Sequence, residues 1–238
     1  MPQTPASHAI EIEDIRFKWR PGLPDVLHIP GLEVARGERI FIRGASGSGK
    51  STLLSLLAGV NLPTSGCVKI LGETISTLSG SKRDHFRSDH IGFVFQLFNL
   101  IPYLSVLENV TLPCHFSEIR KQKATTDSGS LNEEAMRLLG HLDMADDGLI
   151  HRPVTELSVG QQQRVATARA LIGAPEIVIA DEPTSALDSD TQEAFIRLLF
   201  QECEDSGSAL MFVSHDRRLE SQFERRIAMD DINQLGAL

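Results

Sequence analysis

Gly44-Ala45-Ser46-Gly47-Ser48-Gly49-Lys50-Ser51 is the stretch that decides how this chain folds. Its spacing is G-x-x-x-x-G-K-[ST], a loop that joins a strand to a helix and cradles phosphates. Gly44, Gly47 and Gly49 permit the tight bend that turns backbone N–H groups towards α- and β-phosphates. The helix beginning near Lys50 adds the positive end of its dipole. Lys50 suits the bridging of β- and γ-phosphate oxygens, and the Ser51 hydroxyl suits magnesium. Upstream, Arg39-Ile40-Phe41-Ile42-Arg43 reads as the strand that feeds the loop. Downstream, Ser51 to Gly59 reads as a Leu-rich helix stopped near Gly59, which is the context the motif requires.

Two further motifs lie far downstream. Ile177-Val178-Ile179-Ala180 is an apolar strand that ends on the carboxylates Asp181 and Glu182. One carboxylate at such a strand end can hold magnesium, directly or through its water, while a second orients the attacking water. The plainer alternative is a solvated acid pair capping a strand. Before that strand lies Leu157-Ser158-Val159-Gly160-Gln161, which opens a helix running to Ile172. Ser158 and the Gly160 N–H can bind an anion there by the logic of helix N-termini. Val159 is β-branched and disfavours positive φ, so the backbone at this point stays in the ordinary region.

Around these motifs strands and helices alternate. Residues 1–8 are polar and Pro-containing and read as a loose tail. Ile10 to Ile12 and Ile15 to Trp19 alternate apolar with polar as half-buried strands do, and Gly31 to Val34 reads as another strand. Ile91 to Phe95 is a β-branched and aromatic strand ending on Gln96. From Leu97 to about Val154 the pattern is mostly helical, with a polar stretch from Lys121 to Ser130 that reads as exposed loop. A helix from about Ser189 to Gln201 lies between the strands Ile177 to Ala180 and Ala209 to Val213. This order predicts an α/β fold, a largely parallel sheet covered on both faces, with a helical insertion of about 97–157 in one domain of 9–238.

Composition narrows the classes. The chain has 238 residues, 41% of them apolar, enough for one substantial core. A formal net charge of −9 argues against nucleic acid as the main partner, because phosphate backbones call for Lys/Arg surfaces. No apolar run approaches the roughly 18–20 residues that span a bilayer. The first residues lack a signal-peptide layout. Cys67, Cys114 and Cys203 share no metal-ligand spacing and read as reduced, mostly buried thiols of a cytoplasmic protein.

Taken together, the motifs resemble the ATP-binding-cassette (ABC) ATPases over nearly the whole chain. Asp181-Glu182-Pro183-Thr184-Ser185-Ala186-Leu187-Asp188 resembles the cassette's acid motif and D-loop, and Leu157 to Gln161 is similar to its L-S-G-G-Q signature, departing at Val159. The resemblance implies a P-loop NTPase (RecA-like) core, an N-terminal antiparallel β subdomain and an inserted helical subdomain. It implies ATP and Mg2+ as cofactors. Nucleotide contacts fall on Gly44, Ala45, Ser46, Gly47, Ser48, Gly49, Lys50, Ser51 and Thr52, and on Asp181. Ser158, Gly160 and Gln161 of one subunit would meet the γ-phosphate held by another copy, with Asp188 reaching across. Gln96, Glu182 and His215 match the catalytic glutamine, base and switch histidine. Ser51, Gln96 and Asp181 are the implied metal contacts. Trp19 stands where the family stacks an aromatic on adenine, although a Trp ending an alternating strand is also ordinary core.

Phe95-Gln96-Leu97-Phe98-Asn99-Leu100-Ile101-Pro102 and Leu107-Glu108-Asn109-Val110-Thr111-Leu112-Pro113 look like the lipoprotein-release and macrolide-export branch. In that branch the ATPase pairs with a membrane permease and lies at the cytoplasmic face of the membrane. Leu97, Phe98, Leu100, Ile101 and Tyr103 suit either a groove for a permease helix or the core of the insertion. The alternative reading is a non-transport ABC ATPase that drives a cell-division or cell-wall-hydrolase machine.

Overall fold

The computed structural model describes residues 8–144, 146–185, 187 and 189–235. Its elements begin with β1 (His8–Phe17), β2 (Leu27–Ala35), β3 (Arg39–Arg43), α1 (Lys50–Leu57), β4 (Ser65–Ile70) and β5 (Glu73–Thr74). There follow α2 (Gly80–His90), β6 (Ile91–Val94), α3 (Val106–Thr111), α4 (Glu118–Ser128), α5 (Leu131–His141) and α6 (Asp147–Ile150). The chain ends with α7 (Val159–Leu171), β7 (Ile177–Asp181), α8 (Ser189–Ser206), β8 (Ala209–Val213), β9 (Arg225–Ala228) and α9 (Met229–Ile232). Two compact units emerge, one of residues up to 87 with those from 209 on, the other of residues 88–208.

The first unit holds an antiparallel sheet in the order β2-β1-β4-β5. The two strands expected at Ile10 to Ile12 and Ile15 to Trp19 are one strand, β1. Its pairing with β4 shifts between Glu13 and Arg16, and Asp14 sits at φ 42. The extra residue puts Ile12 and Ile15, an odd three apart, both in the core, as a β-bulge does. Of the expected tail, residues 1–7 lie outside the described residues, and His8 already begins β1. In the same unit β3 pairs in parallel with β8 on one side and β9 on the other. A strand flanked on both sides needs a continuous apolar run, and Ile40-Phe41-Ile42 supplies it with no exposed surface. Phe41, Phe212 and Phe223 meet with centroids 5.2–6.0 Å apart. Removing one such ring typically costs about 3–5 kcal/mol.

In the second unit β6 and β7 pair in parallel, with Val94 beside Ala180. α7 packs on β6, and α3 and α5 pack on α7. The polar stretch from Lys121 to Ser130 is a correction: up to Ser128 it belongs to α4, not to a loop. Ser117 caps that helix through the Arg120 N–H, and Ala124 faces inward. Lys, Gln and Ala are good helix formers, so an exposed helix and an exposed loop share this composition. Arg120 on α4 is buried, and its guanidinium donates to the carbonyls of Ala170 at 2.7 Å and Ile172 at 2.6 Å. Burial pulls its pKa down to about 10, and the carbonyl end of α7 is the natural seat for that cation. Cys114 and Cys203 are buried and Cys67 is half-buried, with no disulfide among the described residues. No described helix is long and apolar enough to cross a membrane.

Candidate functional site

The glycine loop leaves β3 and enters α1. Gly49 caps α1 at φ 96, ψ 8 without any side-chain cap, so the first N–H groups of the helix keep no side-chain acceptor from the cap. That left-handed φ favours glycine, and a Cβ there would lie 2.5 Å from Leu27 Cδ2. Ala45, Ser46 and Gly47 form an exposed crest, while Ser48 is buried beneath it. The Ser48 hydroxyl has no hydrogen-bond partner among the described residues, and a Cβ at Gly44 would sit 2.4 Å from it. Lys50 Nζ donates back across the loop to the carbonyls of Gly44 (2.7 Å) and Ala45 (2.9 Å). A tight loop with a lysine over its crest, an orphaned hydroxyl and a helix N-terminus fits the phosphates of a nucleotide. Ser51 is exposed at the start of α1, and Thr52 is buried one residue on.

Two more residues of the first unit bear on this loop. His215 lies two residues beyond β8, exposed, and the Ser214 N–H donates to Ile42 O at 3.2 Å. The C-terminal ends of β3 and β8 therefore run side by side, and the glycine loop and His215 follow them at the same edge, where ligands gather on parallel sheets. After His215, Asp216 accepts from the Arg218 N–H and guanidinium, a pairing that holds its carboxyl below the usual range. Trp19 is 55% exposed, beyond the end of β1 and not within it. Its ring meets Phe17 edge-on at 5.1 Å; Phe17 pairs with Leu27, whose methyl crowds the Gly49 position. Trp19 thus stands beside Phe17 with an open face.

In the second unit the parallel strands β6 and β7 end at one sheet edge. β6 ends at Val94, two residues before Gln96, which is exposed in the following turn. β7 ends on the half-buried Asp181, and the buried Glu182 follows at φ 49. A glutamate in the left-handed region is uncommon and marks a constrained position. At the start of α7, Ser158 is the N-cap: its Oγ accepts from the Gln161 N–H and the Gln161 Oε1 accepts from the Ser158 N–H. Gln161 therefore closes a capping box, a role legible in the S-x-x-Q spacing but absent from the sequence reading. Val159 follows Ser158 with ordinary negative φ, as its β-branching requires. Gly160 is half-buried, and a Cβ on it would meet Leu187 at an ordinary 3.5 Å. Asp188 lies outside the described residues.

A strand–glycine loop–helix with a lysine over the loop defines a nucleoside-triphosphate-binding protein. Residues 27–185 match the family model of the ABC transporter. The chain is 42% identical over 87% of its length, and 87% of the relative's, to the lipoprotein-releasing system ATP-binding protein LolD of Syntrophotalea carbinolica. It is 40% identical over 93% of its length to the probable syringafactin export ATP-binding/permease protein SyfD of Pseudomonas syringae, spanning 33% of that longer protein. Among solved structures it resembles the dimeric ATP-binding cassette MJ0796 in a post-hydrolysis state bound to ADP and Pi. The TM-score is 0.80 at 36% identity, covering 92% of this chain and 93% of that one. The chain belongs to the ABC transporter family. Within it the chain is an ATP-hydrolysing, nucleotide-binding subunit of the lipoprotein-release and macrolide-export branch.

Proposed function

We propose that the subunit works as a head-to-tail dimer closed around two ATP molecules, and that it drives a permease of the lipoprotein-release type from the inner face of the membrane. The observation that carries this reading is the glycine loop with Lys50 folded over Gly44 and Ala45. Lys50 would exchange those carbonyls for β- and γ-phosphate oxygens. The Gly47, Ser48 and Gly49 amides would hold the phosphate chain, and Trp19 would stack on the base. Magnesium, held by Ser51, Gln96 and Asp181, would supply charge neutralisation at the phosphate oxygens. Glu182 would take the proton of the attacking water, and His215 would donate a hydrogen bond to the γ-phosphate. Ser158 and Gly160 would meet the γ-phosphate of the facing copy, with Asp188 alongside. The relatives named for lipoprotein release and the exporter that carries its own permease support the membrane partner. Leu97 and Tyr103, 81% and 82% exposed, are the residues we assign to the groove for a permease helix.

The dimer is tested by mixing two dead variants. Ser158→Arg puts a bulky cation at the dimer contact and leaves the Lys50 loop intact; Lys50→Ala does the reverse. A mixed dimer has one site with both defects and one with neither, so partial hydrolysis returns on mixing. Hydrolysis by a proven Ser158→Arg monomer would overturn the composite site.

A further inference from the structure

The turn that carries Gln96 is held by a buried arginine from α7. Phe98 and Asn99 follow Gln96 closely with consecutive left-handed backbones, φ 58 and 50. Asparagine tolerates that region, but phenylalanine does so only under constraint. The constraint is Arg169, whose Nη2 donates to Phe98 O and Nη1 to Asn99 O, each at 2.6 Å. One planar fork thus takes the carbonyls of two consecutive left-handed residues together. Arg169 is buried, and burial pushes its guanidinium below its usual range.

The backbone that presents Arg169 is itself gripped. Arg120 donates to the carbonyls of Arg169 at 3.4 Å, Ala170 at 2.7 Å and Ile172 at 2.6 Å. α7 is therefore anchored at its C-terminal end, and eleven residues before Arg169 it opens on Ser158 with a closed capping box. One helix thus carries the signature at one end and the grip on the Gln96 turn near the other.

We propose that Arg169 is a positioning residue for ATP hydrolysis, fixing Gln96 through the paired carbonyls of Phe98 and Asn99 and tying that turn to the signature helix. The proposal rests on the role given to Gln96 above. It requires that Gln96 and Arg169 act as one unit, because loosening the turn and deleting the side chain it presents remove the same contact.

The test is a double-mutant cycle on the full chain, reading kcat and KM for ATP. Arg169→Met is expected to lower kcat about 10- to 100-fold, the scale of a misplaced positioning group, and to leave KM within about twofold. Arg169→Lys, which reaches fewer acceptors, falls between. Gln96→Ala with Arg169→Met is expected to be no slower than the slower single variant. A double variant slowed by the product of the two single effects overturns the role of Arg169 and leaves that of Gln96 standing. Full turnover by Gln96→Ala overturns the reading of Gln96, and the proposal with it. If Arg169→Met does not fold, Arg169→Lys carries the same cycle with the same two outcomes. Wild-type kcat in Arg169→Lys at every magnesium concentration would also overturn it.

Discussion

Ile42 of β3 and Val213 of β8 are parallel register partners, and each strand stops within one residue of that pair. The glycine loop starts two residues after Ile42 and His215 stands two after Val213, so the loop and the histidine leave one sheet edge together. His215→Ala is expected to cut hydrolysis about 10²-fold, the lower range for a group acting in proton transfer or charge stabilisation. ATP affinity should change little, since the loop and Lys50 are untouched. Parallel nucleotide titrations and turnover assays check both halves; a large affinity loss with normal turnover would place His215 in binding alone.

Trp19 is the only tryptophan, so its fluorescence reports on its own surroundings. Its open face beside Phe17 predicts a change in emission on ATP addition. Trp19→Ala is expected to weaken nucleotide binding by about 1–3 kcal/mol, the worth of base–aromatic stacking. Unchanged affinity together with silent emission would remove Trp19 from the site.

A pH effect follows from the second unit. Burial alone would raise the Glu176 pKa, but His90 Nδ1 at 3.0 Å and Lys123 Nζ at 2.8 Å outweigh it, leaving the carboxyl at about 2. A carboxyl lowered on folding contributes stability above its ordinary value of 4.5, and that contribution is lost as pH falls towards 2. Glu176→Gln should therefore lower Tm by about 2–4 °C at pH 7. The gap between variant and parent should narrow as pH falls below about 4.5. Thermal melts at stepped pH check this, and a constant gap down to pH 3 would contradict it.

Local signals were the legible ones. The glycine loop, its strand and its helix are written in adjacent residues, and the apolar runs of β3, β7 and β8 state their burial directly. The bulge at Asp14 was not legible, because a break between Ile12 and Ile15 in an alternating pattern looks like two strands. α4 was hidden by its own polar face. The Ser158–Gln161 box was printed in the sequence but eclipsed by the family motif that overlies it. The grip of Arg169 on Phe98 and Asn99 spans seventy residues and rests on two left-handed backbones. No periodicity encodes such a contact.

Glu182, the residue proposed as the base, directly follows the strand-end Asp181. Glu182→Gln keeps size and hydrogen bonding and removes basicity. The deciding measurement is magnesium-dependent ATP turnover of purified, partner-bound parent and Glu182→Gln, with ATP binding measured alongside. The account predicts turnover lower by about 10²–10⁴-fold with binding retained. Equal turnover in the two proteins would contradict it.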